Sequence, residues 1–245
     1  MEKHIESVAS LPLEINPITY PQIKKADLLP GLESRLDSME MKETPLFDLN
    51  IPFRDLTDTA SKKESIHKLI AKLDVENSLR YQKTVEDTYC NVYSYDYCHF
   101  SKVYLPTVWW TAESLEKLKQ GEDVDAVFEQ TVDRIYSSAI TDWFSDWGPN
   151  FGWKKMFTAD EIQNKVNENG GIGIICAKRR IRGLSGHIVP VVPETDLHKA
   201  YRENGIVVYP LQSQAGKMNY NYFSEVRKDW WNDELYSDFV FYYHD

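Results

Sequence analysis

The chain has 245 residues, 42% hydrophobic and 13% aromatic, enough to bury the core of one large domain, or of one domain with an extension. Its 38 acidic and 28 basic residues give a formal charge of −10. That balance speaks against a nucleic-acid binder, which needs clustered Lys and Arg to neutralise phosphates. Three cysteines do not make a disulfide framework for a chain this size. No apolar run approaches the roughly 18 residues of a membrane span, so no membrane partner is expected.

Residues 1–60 carry Pro12, Pro17, Pro21, Pro30, Pro45 and Pro52 with no sustained period. They read as an extended arm with short helical pieces that wraps the main domain, or as a docking or linker segment. The first residues, Met1 to Ser7, lack the hydrophobic stretch of a signal peptide. The expectation is cytoplasmic synthesis, with export to the periplasm or extracellular space left open.

A main domain is expected over 61–245. Ser61-Lys62-Lys63-Glu64 has capping-box spacing, and Ile66, Leu69, Ile70 and Leu73 recur at helical intervals, predicting a helix to about Ser78. A helical insertion is expected at about 111–166. Within it, 111–139 keeps near-helical apolar spacing interrupted at Gly121, and the aromatic, glycine-punctuated stretch 143–157 reads as a loop. Thr158 then caps a short helix, Ala159 to Val166, which Gly170-Gly171 ends.

From here the chain changes class. Ile172–Ala177, His187–Val192, Ile206–Leu211 and Phe239–Tyr243 are rich in β-branched and aromatic residues and read as strands. Helices followed by strands predict an α+β domain with helices packed on an antiparallel sheet. The basic cluster Lys178, Arg179, Arg180 and Arg182 reads as a solvated strand end or loop.

The chemistry-bearing residues are Cys90 and His187. Asp87 or Thr88 can cap a helix beginning near Cys90, where unsatisfied backbone N–H groups and the helix dipole favour thiolate over thiol. The Cys90 N–H could then help to hold an oxyanion. Propensity alone argues otherwise, because Tyr89, Asn91, Tyr93, Tyr95 and Tyr97 alternate like a strand. A single cysteine is also more often a buried structural residue. His187 follows Gly186 at a strand start, and taken alone it too would more often be structural. A third group should orient the imidazole through its second ring nitrogen. Gln214 on the next strand is the first choice and Gln212 the second.

Aromatic faces bind sugar rings and peptide stems. Trp147 and Trp153, beside Gly148, Pro149 and Gly152, are read as cleft residues, whereas Trp143, Trp230 and Trp231 are read as packing residues. His and Cys are too scattered for a zinc site, and no phosphate-cradling glycine loop is present, so neither metal nor cofactor is expected.

Three strings carry a resemblance: Thr88-x-Cys90-Asn91-Val92-x-x-x-Asp96, Gly186-His187-Ile188 and Gln214-Ala215-Gly216-x-x-Asn219. Their order is similar to that of the NlpC/P60 and CHAP superfamily of papain-like cysteine hydrolases, narrowly its cell-wall amidases and endopeptidases, over about residues 80–245. The resemblance implies a papain-like NlpC/P60 fold with the catalytic cysteine, Cys90, at a helix start, His187 as base and Gln214 as the third polar residue. Asn91, Asp96, Gln212 and Asn219 are then expected to shape the substrate cleft. Two features depart from the pattern. The Asp-Cys-Ser-Gly string of typical NlpC/P60 endopeptidases is absent, and the interval from Cys90 to His187 is longer than in compact members.

The expected function is cysteine-dependent hydrolysis of an amide in peptidoglycan stem peptides, by a secreted antibacterial effector or a phage-type lysin. An immunity or secretion-apparatus protein would be its partner. The alternatives are a papain-like protein deamidase, protease or acyltransferase, and a non-catalytic binding domain on the same fold. In a regulatory variant, residues 1–60 cover the cleft.

Overall fold

A computed structural model describes residues 23–28, 42–225 and 229–245. Helix α1 (Thr59–Leu73) starts at Asp58, whose side chain accepts from the Ser61 N–H, and ends at Asp74 in the left-handed region. The cap is Asp58 and not the expected Ser61, so the helix starts two residues before Ser61. Ile66, Leu69, Ile70 and Leu73 are each at most 2% exposed. At roughly 1.5–3 kcal/mol per buried side chain, packing outweighs the ~1 kcal/mol of a cap in holding this helix.

Helix α2 (Cys90–Phe100) forms where residue alternation favoured a strand. It is buried on nearly every face, by α1, by strands of the main sheet and by the arm. A helix covered all round needs no polar stripe, so its tyrosines obey packing rather than a period of 3.6. Tyr81 meets Tyr93 edge-on at 5.2 Å, and Tyr93 lies 6.4 Å from Tyr97, one turn on.

The region 111–139 is not one helix. Strand β1 (Val108–Trp110), helix α3 (Ala112–Lys119), strand β2 (Val132–Arg134) and helix α4 (Ser137–Asp146) follow one another. Gly121 ends the helical pattern, and Val132 turns back to pair with Trp110. Helix α4 occupies the start of the stretch expected to be a loop, because Ile140, Trp143 and Phe144 supply a buried stripe. Strand β3 (Lys154–Met156) precedes helix α5 (Ala159–Asn169), capped as expected by Thr158 and ended by Gly170.

The strands that follow are β4 (Ile172–Arg179), β5 (His187–Val191), β6 (Tyr201–Glu203), β7 (Ile206–Tyr209), β8 (Gln212–Gln214), β9 (Tyr220–Phe223) and β10 (Tyr236–His244). Five of them and β3 form an antiparallel sheet in the order β3-β10-β4-β5-β8-β9. The architecture is thus mixed α+β. Strand β4 is buried on both faces. Ile172, Ile174 and Cys176 join the cluster under α1, α2 and α4, while Ile175 and Ala177 join that of α5, Trp230 and Trp231.

The described arm segments pack on this domain. Ile23 and Ala26 join the cluster of Val108, Trp110 and Val132. Thr44 O accepts from Arg80, the Leu46 N–H donates to Asp96, and the Arg54 N–H donates to Phe100 O. Pro12, Pro17, Pro21 and Pro30 lie outside the described residues.

Candidate active site

Cys90 is the first residue of α2, and the cap position falls on Tyr89, not on Asp87 or Thr88. Tyr89 offers no side-chain cap, and Asp87 is engaged in a turn with Thr84. The first-turn N–H groups of α2 therefore lack intrahelical partners beside the sulfur. Helix α4 begins at Ser137, whose hydroxyl lies 3.3 Å from Cys90 Sγ. Both helices thus direct their positive ends at one sulfur.

His187 opens β5, paired with Ala177 on β4. Gly186 is required there, since a Cβ would stand 2.0 Å from the Ala177 carbonyl oxygen. The imidazole is 6% exposed and stands beside the Cys90 side chain, where it favours the thiolate. Its Nε2 lies 2.8 Å from Gln214 Oε1. The Gln214 Nε2 donates to Met218 O at 3.0 Å, which fixes the amide with its oxygen towards His187. That oxygen can only accept, so Nε2 of His187 carries the proton of the neutral ring. Trp230 packs edge-on against the imidazole at 4.6 Å and is itself held by Gln212 Oε1 at 2.8 Å. Gly216 completes the enclosure, as a Cβ there would lie 3.3 Å from His187 Cε1.

The electrostatics separate the three cysteines. Burial pushes the Cys90 thiol up. The His187 charge, hydrogen bonds from His187 and Ser137, and a backbone hydrogen bond at Ile188 more than reverse this and bring it down to about 7. Cys98 and Cys176 are raised by burial. Only Cys90 therefore sits where a thiolate forms near neutrality.

Other expected site residues separate as well. Asn91 lines a cavity of about 170 Å³ with Thr88, Tyr89 and Tyr136. Asp96 is fully buried, receiving Arg80 Nε at 2.6 Å, the Tyr81 hydroxyl at 2.9 Å and the Leu46 N–H at 3.0 Å, so it braces α2 and does not reach the cleft. Trp153, 1% exposed and donating to Tyr104 O, is a core residue, whereas Trp147 is half-buried and packs on Trp109. The glycines and proline beside them shape a short 3-10 turn, Gly148–Phe151, of which only Gly148 is buried. Gln212 positions Trp230 rather than substrate. Asn219 ties the loop after β8 to Val75 O and Tyr81 O.

Sequence reasoning missed Ser137 and the shielding role of Trp230. Ser137 has no cap or motif signature, and its relation to Cys90 exists only once α4 is folded against α2. Among the described residues, no group of three or more His, Cys, Asp or Glu side chains could hold a metal ion. Likewise, no described helix is long and apolar enough to cross a membrane.

Three cavities lie in this region; Cys90 lines none of them and His187 lines one. The Asn91 cavity lies on the α2 side and includes Lys42 and Glu43 of the arm. A second, of about 280 Å³, contains His187, Gly216, Lys217 and Arg179. A third, of about 980 Å³, runs beneath the β4–β5 connection. Thr88 and Ser185 are shared between the first two. Comparison with protein-family models, curated proteins and solved structures gave no match for this chain.

Proposed function

We propose that this protein is a cysteine-dependent amide hydrolase with a papain-like NlpC/P60 arrangement, acting on stem peptides of peptidoglycan. The observation that carries the reading is the relay from Cys90 through His187 to Gln214, with its tautomer set by the Gln214 amide. The peptidoglycan substrate rests on the resemblance of the three strings around these same residues.

In the proposed reaction the Cys90 thiolate forms a C–S bond with the amide carbonyl carbon. The proton held on His187 Nδ1 passes to the leaving nitrogen as the C–N bond breaks. Water then attacks the thioester carbonyl carbon, giving a proton to His187, and the C–S bond breaks to release the acid and return the Cys90 thiolate. Backbone N–H groups of the first turn of α2 stand where the oxyanion develops. Gln214 and Trp230 hold the ring in place. The acidic net charge suits a diffusing effector or lysin without an electrostatic wall tether.

The test is a digest of purified sacculi by wild type and Cys90→Ala, read by mass spectrometry. Fragments released by wild type alone are expected, and their masses name the bond. No fragments from several wall types, with Cys90 still quickly alkylated at neutral pH, would overturn the wall substrate and leave a protein or acyl substrate. An unreactive Cys90 would overturn the hydrolase.

A further inference from the structure

The basic cluster at 178–182 found no role in the reaction just described, yet it stands beside the site. Arg179 is half-buried at the end of β4 with its guanidinium 5.8 Å from the Tyr236 ring. Lys217 is exposed on the loop after β8. Both line the 280 Å³ cavity that contains His187, and among the described residues no carboxylate lines it. In a chain with 38 acidic and 28 basic residues, a cavity with two cations and no acid is the opposite of the average surface. Among the described residues neither Arg179 nor Lys217 has an ion-pair partner, whereas Lys178 is taken by Asp142 at 2.6 Å. Arg180 is engaged with the carbonyls of Glu234 and Tyr236, and Arg182 extends the positive field into the adjoining cavity. The α2-side cavity differs. It contains Glu43, Glu86 and Asp87 against Lys42 and Arg134, with Arg134 paired to Glu43.

The direction of the reaction gives this asymmetry a meaning. The imidazole must reach the departing nitrogen to protonate it, so the amine fragment lies on the His187 side and the acyl fragment on the α2 side. We infer that the departing amine carries one or more carboxylates, as an amino acid or short acidic peptide does, and that Arg179 and Lys217 bind them. This deepens the hydrolase reading and rests on it. A bidentate Arg–carboxylate contact would supply orientation, and Lys217 a mobile point charge.

The test needs no knowledge of the substrate. Second-order rates of Cys90 alkylation are measured with iodoacetate, an anion, and iodoacetamide, its neutral counterpart, and their ratio is compared among wild type, Arg179→Gln, Lys217→Gln, the double variant and Lys217→Arg. Thermal melts check that each variant is folded. Two unit charges within several ångströms in a water-like medium should lower the ratio about fivefold in the double variant at low salt. Lys217→Arg should keep the wild-type ratio. The wild-type excess should shrink towards the double variant's value near 1 M salt, where the screening length is about 3 Å. A ratio unchanged by the folded double variant overturns the anion-binding role while leaving the hydrolase standing. Labelling of Cys90 by neither reagent overturns the thiolate and both proposals with it.

Discussion

Replacing His187 with alanine isolates what makes Cys90 acidic. Burial alone raises the thiol, and the imidazole supplies the largest opposing effect through its charge and its hydrogen bond. The fall from an ordinary 9.0 to about 7 corresponds to about 2.7 kcal/mol in favour of thiolate. Without the imidazole, Ser137 and Ile188 must offset burial unaided, and the thiol should titrate above 9. The sign is that of an acid: thiolate and reactivity rise with pH, through about 7 in wild type and beyond 9 in the variant. At pH 7 the thiolate fraction should fall from about one half to below about 1%. A thiolate of higher pKa is, however, a stronger nucleophile, with a Brønsted slope of about 0.4–0.5. That offsets roughly eightfold of the loss, so the rate at one pH is a poor readout and the midpoint is the decisive one. The assay is the pH profile of iodoacetamide alkylation at Cys90, with Cys98 and Cys176 replaced by serine or shown unlabelled by peptide mapping. A folded His187→Ala protein that still titrates near 7 would refute the ion-pair argument.

Gln214→Met removes the acceptor at His187 Nε2 and should lower kcat about 10- to 100-fold with little change in KM; unchanged turnover on sacculi would remove Gln214 from the relay. Asp96→Asn strips the counterion from fully buried Arg80 and should cost about 3–5 kcal/mol in urea unfolding. A stable Asp96→Asn protein with raised KM would return Asp96 to the cleft. Gly186→Ala places a methyl 2.0 Å from the Ala177 oxygen and should cost at least about 3 kcal/mol or prevent folding. Wild-type melting of that variant would contradict the close strand approach.

The elements that could be read in advance are those whose signals are local. The stripe of Ile66, Leu69, Ile70 and Leu73, the Thr158 cap and the β-branched runs of β4 and β5 each depend on residues within a few positions of one another. Helix α2 was not legible by periodicity, because a helix buried on every side has no solvent face to write a period. The resemblance, with its cysteine at a helix start, and the candidate caps Asp87 and Thr88 pointed the other way. The stretch 111–157 failed for a related reason. Near-helical spacing continued past Gly121, but the Phe128–Arg134 turn and strand are fixed by pairing with Val108–Trp110 and by contacts of Ile23 and Ala26.

The sequence by itself determined which residues could do chemistry: one cysteine before an eight-residue aromatic run, one histidine after a glycine, and glutamines on the strand that follows. It also determined the elements whose apolar spacing is local, the helix Thr59–Leu73 and the strands that begin at Ile172 and His187 among them. Tertiary structure alone decided that Cys90 and not Cys98 or Cys176 is the acidic thiol, because charge, hydrogen bonds and desolvation act through space. It alone separated Gln214 from Gln212, by facing one amide to His187 and the other to Trp230. And it alone moved Asp96 and Trp153 from the cleft into the core, because burial depends on what packs over a residue and not on its neighbours in the chain.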